Sequence, residues 1–194
     1  MKWYDVVDFD ESAHPFVADS ADLKGFDAEQ FRRGRQVRSW DPNAWYRATK
    51  PEYDGEPDDI LGEHLYIPVY SARLREALRS AGIGEIQYLS VKVIRPDGSE
   101  IPGYAIANIL SLVPALDVAE TRIVQRFPLD FPNPNVRGKI EDIRGVALRA
   151  HTLEGHDIIR LAESPLRVFV SDRFREIFRR RKLTGYAFHR IRVV

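Results

Sequence analysis

The side chains best suited to acid–base or metal chemistry are five histidines, His14, His64, His151, His156 and His189, and only one pair of them is close in sequence. That pair brackets Glu154 in the segment HTLEGH, residues 151–156. A helical zinc site sets two His about four residues apart on one face with a Glu as base. Here the spacing is five and Gly155 interrupts, so the segment reads as a turn between two strands. Nucleophilic chemistry has no better foothold. No Ser stands in a G-x-S-x-G elbow, and Gly138-Lys139 has Asn133 where a phosphate-cradling loop requires Gly. With no Cys in the chain, thiolate chemistry and disulfides are excluded. Carboxylates do crowd together at Asp54, Glu56, Asp58 and Asp59. In a Pro- and Gly-containing loop they stay solvated and ionised, which suits neither member of an acid–base couple. The residues therefore predict no catalytic centre, no metal and no cofactor.

What the chain does carry twice is a frame. Residues 69–88, VYSARLREALRSAGIGEIQY, and 169–188, FVSDRFREIFRRRKLTGYAF, match at an offset of one hundred. Ser71 pairs with Ser171, Arg73 with Arg173, Arg75 with Arg175, Glu76 with Glu176, Arg79 with Arg179 and Tyr88 with Phe188. In each copy an apolar run (Tyr66, Ile67, Val69; Val168, Phe169, Val170) meets a Ser whose hydroxyl can cap a helix. Leu74, Ala77, Leu78 and Ala81 form one apolar stripe, and Phe174, Ile177 and Phe178 repeat it, predicting helices over 72–81 and 172–182. Burying each large side chain contributes roughly 1.5–3 kcal/mol against about 1 for a cap, so packing decides that these helices form. Gly82 is suited to a left-handed helix end. Arg181 and Lys182 stand where the first copy has Ala81 and Gly82, which requires them to snorkel at a helix C-terminus that favours positive charge.

Around this frame, residues 3–9 alternate as a first strand and 11–22 read as loop. Asp27 starts a short helix that Gly34 stops, with an extended Val37–Trp40 beyond it. Residues 41–59 are the most loop-like, and Pro57 predicts a helical turn over 57–62. Residues 86–94 and 103–113 flank RPDGSEIP as a hairpin whose strands look buried on both faces. Residues 121–126 read as a short strand before the Pro-rich loop FPLDFPNPNVRGK, and 143–149 and 156–162 as further strands. The expected fold class is α+β: one domain over 1–194, with a mostly antiparallel sheet and a duplicated strand–helix–strand unit. The repeat units span about 66–94 and 166–194, and residues 1–63 form an acidic N-terminal extension.

The 194 residues carry no formal net charge, but the charge is distributed unevenly. Residues 1–63 hold 15 acids and 8 bases, whereas residues 165–194 hold 2 acids and 9 bases. Solvated faces explain such runs, and so does a charged partner surface. The segment FREIFRRRKLTGYAFHRIR interleaves Arg with aromatics, as a nucleic-acid surface would, although Phe174, Ile177 and Phe178 belong to the helix stripe. No run approaches the roughly 18 apolar residues of a membrane span, and acids at positions 5, 8, 10 and 11 break any signal-peptide pattern. A cytoplasmic protein with no membrane partner is expected.

Several stretches together resemble a bacterial family, the immunity proteins of polymorphic toxin systems typified by a myxobacterial member and formerly a domain of unknown function. They are GFDAEQFRRGRQV, PVYSARLREALRSAGIGEIQYLSV, YAIANILSLVPALD and IIRLAESPLRVFVSDRFREIFRRRKLTGYAF. The combination of V-x-S-x-R-x-x-E helices, the N-x-L and A-L-D elements at Asn108 and Asp117, and a final L-T-G carries the likeness. The resemblance implies a non-catalytic inhibitor that occludes a cognate toxin domain delivered by contact-dependent or type VI secretion. Class frequencies make a basic nuclease the expected toxin, with Tyr53, Asp54, Glu56, Asp58 and Asp59 as its contact. The Pro-rich 127–137 stretch and the basic 179–182 run are further partner-specific candidates. No nucleic acid is expected as partner, and a homodimer stays open. A regulatory nucleic-acid binder using the basic C-terminal third is the alternative.

Overall fold

The computed structural model describes residues 1–8, 16–63 and 65–194, so His14, His64 and Phe9 of the expected first strand lie outside the described residues. β1 (Trp3–Asp8), β2 (Val17–Ala18) and β3 (Ser20–Asp22) precede a 3-10 turn, Ala28–Arg32. Asp27 starts that turn by accepting from the Glu29 N–H at 3.0 Å. β4 (Trp45–Arg47), β5 (Gly62–Glu63) and β6 (Val69–Ser71) lead into α1 (Ala72–Ser80), and β7 (Ile86–Ser90) leaves it. Then come β8 (Lys92–Ile94), β9 (Glu100–Ile101), β10 (Tyr104–Ile109), β11 (Leu112–Val113) and β12 (Ile123–Arg126). β13 (Ile140–Arg144), β14 (Ala147–Leu148), β15 (Ile158–Leu161), β16 (Val168–Ser171), α2 (Asp172–Arg180) and β17 (Tyr186–Val193) complete the order.

Two sheets matter for the site. One runs β6-β10-β7; the other runs β11-β15-β16-β1-β17-β14. In each, the strands flanking a helix pair antiparallel with one central strand: β10 between β6 and β7, β1 between β16 and β17. The registers correspond, since Ser71 faces Tyr104 and Ser171 faces Trp3. The central strand of the first comes after its helix in the chain, and that of the second comes from the N-terminal end. The fold is mixed α+β with two helices and mostly sheet, and antiparallel pairings predominate.

Strand alternation distributes the core into layers. Tyr70 and Ala107 of one sheet, and Tyr4, Val168 and Val170 of the other, face a shared core containing Leu74 and Leu78 of α1 and Phe174 and Phe178 of α2. The opposite face of the first sheet sends Val69, Leu89 and Ile106 into a second core with Phe31 and Tyr46. Trp3 and Phe169 point into a third, with Leu148, Leu153 and Ile159. Each of the two sheets is thus covered on both faces, as the unbroken apolar character of residues 103–113 predicts.

Several sequence expectations fail for physical reasons. Residues 57–62 form no helical turn, because Ile60 is an antiparallel bridge partner of Tyr70 and Leu61 N–H donates to Val69 O at 2.9 Å. The expected strand 86–94 breaks at Val91: its first half joins β10, while β8 pairs parallel with β4 in a separate four-stranded sheet. The stretches 11–22 and 41–59, read as loop, contain β2, β3 and β4, because Ala18, Ala44 and Tyr46 are drawn into the second core; Val37–Trp40 runs outside the strands. The Gln87 amide takes both backbone groups of Val37 at 2.8 Å and stands in for a strand neighbour.

Candidate functional site

The most densely bonded polar cluster lies where the two helices meet. The Ser71 hydroxyl accepts from Leu74 N–H at 3.1 Å and donates to Asp59 Oδ1 at 2.6 Å. Ser171 does the same, accepting from Phe174 N–H at 3.2 Å and donating to Asp157 Oδ1 at 2.6 Å. Each cap is therefore itself held by a carboxylate. Arg73 sits 3.5 Å from Asp59 and crosses to the far helix, donating to Arg181 O at 2.8 Å and to Lys182 O. Arg173 binds Asp157 at 2.5 Å and donates to Ala81 O at the end of α1. Each helix thus begins with an Arg that satisfies the terminal carbonyls of the other, which would otherwise lack partners.

The L-T-G motif fixes the end of the acidic stretch to this cluster. Thr184 N–H donates to Asp59 Oδ2 at 3.1 Å, Ile60 N–H donates to Thr184 O at 3.2 Å, and Asp59 N–H reaches Thr184 Oγ1 at 3.3 Å. Gly185 comes next at φ +100°, where a Cβ would lie 2.6 Å from Ile60 O and 3.0 Å from the Asp58 Cβ. Only glycine allows that approach. Asp59 is accordingly 7 % exposed, so the expectation that all four carboxylates stay solvated is wrong for this one. Asp54 and Glu56 are exposed. Asp54 pairs with Arg95 at 2.7 Å, Glu56 has a side chain 97 % exposed at 4.0 Å from the same Arg, and Asp58 is half-buried with its C=O accepting from Tyr104 Oη at 2.6 Å. Burial, and then the carboxylates of Asp59, Asp58 and Glu56, push the Tyr104 phenol up. Tyr53 is half-buried beneath Lys50, whose ammonium lies 5.0 Å from the ring centroid. Residues 53–58 thus form an acidic ridge in which Asp54 and Glu56 are exposed and Tyr53 and Asp58 half-buried, held at its end by Asp59.

One residue beyond Gly185, Tyr186 lines a groove of about 420 Å³. Its lips are Tyr66 with Pro68, and Leu166 with Val168, which are the same positions of the two matching segments at the offset of one hundred. Val7 adds a third apolar edge, and the ion-paired Asp5 and Arg167 line the groove too. Burial pushes the Asp5 carboxyl up, against the pull of Arg167. Tyr66, Leu166 and Val7 are exposed by 70, 49 and 43 %, large values for apolar side chains that share one concavity. Tyr66 also holds φ +57°, a left-handed conformation that costs a bulky residue about 1–2 kcal/mol.

With this geometry in view, comparison with protein-family models gives a match to one described as Immunity protein family (Imm11), covering residues 12–193. The chain belongs to this immunity protein family. Membership implies a cognate toxin as partner and neutralisation of that toxin as the task, and such families are in general non-enzymatic. Comparison with curated proteins finds no match.

The remaining candidates in this Imm11 chain find structural places. Glu85 gathers Asp157 N–H at 3.0 Å, the Ser111 hydroxyl at 2.6 Å and His156 Nδ1, linking the first strand–helix–strand segment to the turn before β15. Burial alone would raise its carboxyl, but these bonds outweigh burial and hold it below the usual range. Asn108 is fully buried and donates to Arg35 O at 2.9 Å and Gln87 Oε1 at 3.0 Å. Asp117 caps a turn by accepting from Glu120 N–H at 3.0 Å. Residues 127–137 have no strand or helix; Phe127 and Phe131 pack together at 4.9 Å between centroids. In the basic run, Arg179 and Arg180 pair with Glu176 at 3.2 and 2.9 Å, and Arg181 and Lys182 are exposed. Among the described residues no three His, Asp or Glu cluster as metal ligands, and no helix is long and apolar enough to cross a membrane. Sequence reading missed Asp157 and the groove lips. The signals were a D-I pair ahead of each Ser (Asp59-Ile60, Asp157-Ile158) and the match of Tyr66 with Leu166.

Proposed function

We propose that this protein neutralises a basic toxin domain by covering it, without chemistry of its own, and that the ridge Tyr53–Asp58 makes first contact. The family match over residues 12–193 carries the reading. The exposed carboxylates of Asp54 and Glu56, with half-buried Asp58 beside them, support it as a source of unlike charge for a basic partner, and such complementarity raises association rates more than it raises affinity. The proposed toxin is a nuclease acting in the cytoplasm, reaching the cell by contact-dependent or type VI delivery, and the proposed complex pairs one toxin domain with one immunity chain. We further infer that the two strand–helix–strand units arose by duplication within one domain, a view supported by the matching Ser–Asp–Arg clusters.

A nucleic-acid-binding regulator is the weaker reading, because the aromatics interleaved with the basic run do not face outward. Phe174, Phe178 and Tyr186 are 0, 4 and 8 % exposed and cannot stack on bases. Co-expression with any toxin-like domain found in the adjacent gene tests the proposal. Cell survival and a one-to-one complex in size-exclusion chromatography are expected. Death of cells that contain folded immunity protein, or salt-sensitive binding to any nucleic acid instead, would overturn it.

A further inference from the structure

We infer that the groove between Tyr66 and Leu166 is the anchor point of the interface, taking an aromatic side chain that the toxin presents next to basic residues. This rests on the immunity reading and adds the chemistry of the partner's contact.

Three of the large apolar side chains that the surface exposes, Val7, Tyr66 and Leu166, face one concavity that also contains Pro68, Val168 and Tyr186. Surfaces that keep such a patch together bury it against something, and interface energy concentrates in a few aromatic or Arg anchors seated in pockets. At about 420 Å³ the hollow is at the small end of ligand-sized sites, enough for one large side chain. Tyr66 is held in the left-handed region while 70 % exposed, and the conformation keeps its ring at the lip at a cost that burial of that ring against a partner would offset.

Charge then selects the anchor and its flanks. Arg167 already neutralises Asp5 in the groove, so a cationic head entering it would meet a guanidinium. An aromatic ring can pack on the apolar walls formed by Val7, Tyr66, Pro68 and Leu166 and needs no new partner for the paired Asp5 and Arg167. Outside, the groove comes close to the acidic stretch: Tyr186 follows Gly185, where a Cβ would lie 3.0 Å from the Asp58 Cβ, and Glu56 and Asp54 precede Asp58 in the chain. A ring with positive charge beside it satisfies both regions, and one with negative charge does not.

The test uses the full chain and two small probes, tryptamine and indole-3-propionate, monitored by NMR. Tryptamine is expected to shift the backbone amides of Val7, Leu166 and Val168 saturably, several-fold more tightly than indole-3-propionate at low salt, with the difference shrinking as salt is added. Leu166→Asp, a surface change expected to leave the melting temperature unaltered, should abolish those shifts and weaken binding of the catalytically inactivated neighbouring toxin domain by 100-fold or more. Preference for the anionic probe, shifts elsewhere on the protein, or full toxin binding by folded Leu166→Asp would each overturn the inference. If the wild-type chain binds no toxin while tryptamine still seats in the groove, the immunity reading fails and the groove chemistry survives.

Discussion

Two residues past the end of α1 stands Gly82 and two past the end of α2 stands Lys182, yet both turn through the left-handed region, with φ of +73° and +50°. The next residues are also alike, since Ile83 and Leu183 each donate N–H back to the helix at 3.0 Å and bury their side chains. The two segments share the Ser cap, the carboxylate that holds it and the Arg that crosses to the other helix. They differ in what surrounds that frame. Asp59 is bonded by Thr184 of the opposite segment, whereas Asp157 has its backbone N–H taken by Glu85. The central strand comes from after one helix and from the start of the chain for the other. Geometry is therefore imposed by a few polar contacts and an apolar stripe, while loop chemistry and surface charge are open to change, and it is there that the acidic ridge and the groove lie.

Removing the carboxylates should break the comparison most severely. Asp59→Ala strands the Ser71 hydroxyl, Thr184 N–H and Arg73 at an 8 % exposed side chain, and should cost about 3 kcal/mol; Asp157→Ala, with a side chain 16 % exposed, about 2. Urea unfolding midpoints measure both. Equal and negligible losses would mean that the Ser caps stand without their acceptors.

Exchanging the helix ends comes next. Lys182→Gly should stabilise by about 1 kcal/mol, because the left-handed backbone no longer carries a Cβ, and Gly82→Lys should destabilise by about the same. Thermal melts of the two variants, moving in opposite directions, would show that the two turns are interchangeable.

A smaller, pH-dependent effect separates the bridging residues. The Glu85 carboxyl is held below its unfolded value, so the stability it contributes is fully present above the ordinary carboxylate pKa of about 4.3 and is lost as pH falls through the lower folded value. Glu85→Gln should therefore be less stable than the parent at neutral pH, and the gap should close in acid. A gap that stays constant with pH would assign Glu85 a role in packing alone.

The helices, their stripes and their Ser caps were legible in the sequence because they are local: a hydroxyl three residues from the N–H it accepts, and apolar residues at helical spacing. Asp59 and Asp157 were not, because they precede their Ser by 12 and 14 residues, and this slip breaks the one-hundred-residue offset on which the match was read. The Pro57 turn misled for a related reason. Pro57 and the acids around it look like a loop, but the segment is drawn straight by Tyr70 on one side and by Thr184–Gly185 on the other, a contact made across more than half the chain. The groove was hidden because apolar residues leading into a strand look alike whether they end in a core or on a lip.

A small effect on folding and the most direct test of function coincide in the triple variant Asp54→Asn, Glu56→Gln, Asp58→Asn. Glu56, the most exposed of the three, should alter stability by no more than about 0.5 kcal/mol, and the loss of the Asp54–Arg95 pair adds about 1 kcal/mol at most. Stopped-flow association of the variant with the inactivated toxin domain is the decisive measurement: the rate should fall tenfold or more at low ionic strength and approach the parent's at high salt. An association rate unchanged at low salt, with the variant folded, would contradict the assignment of the acidic ridge as the toxin's point of approach.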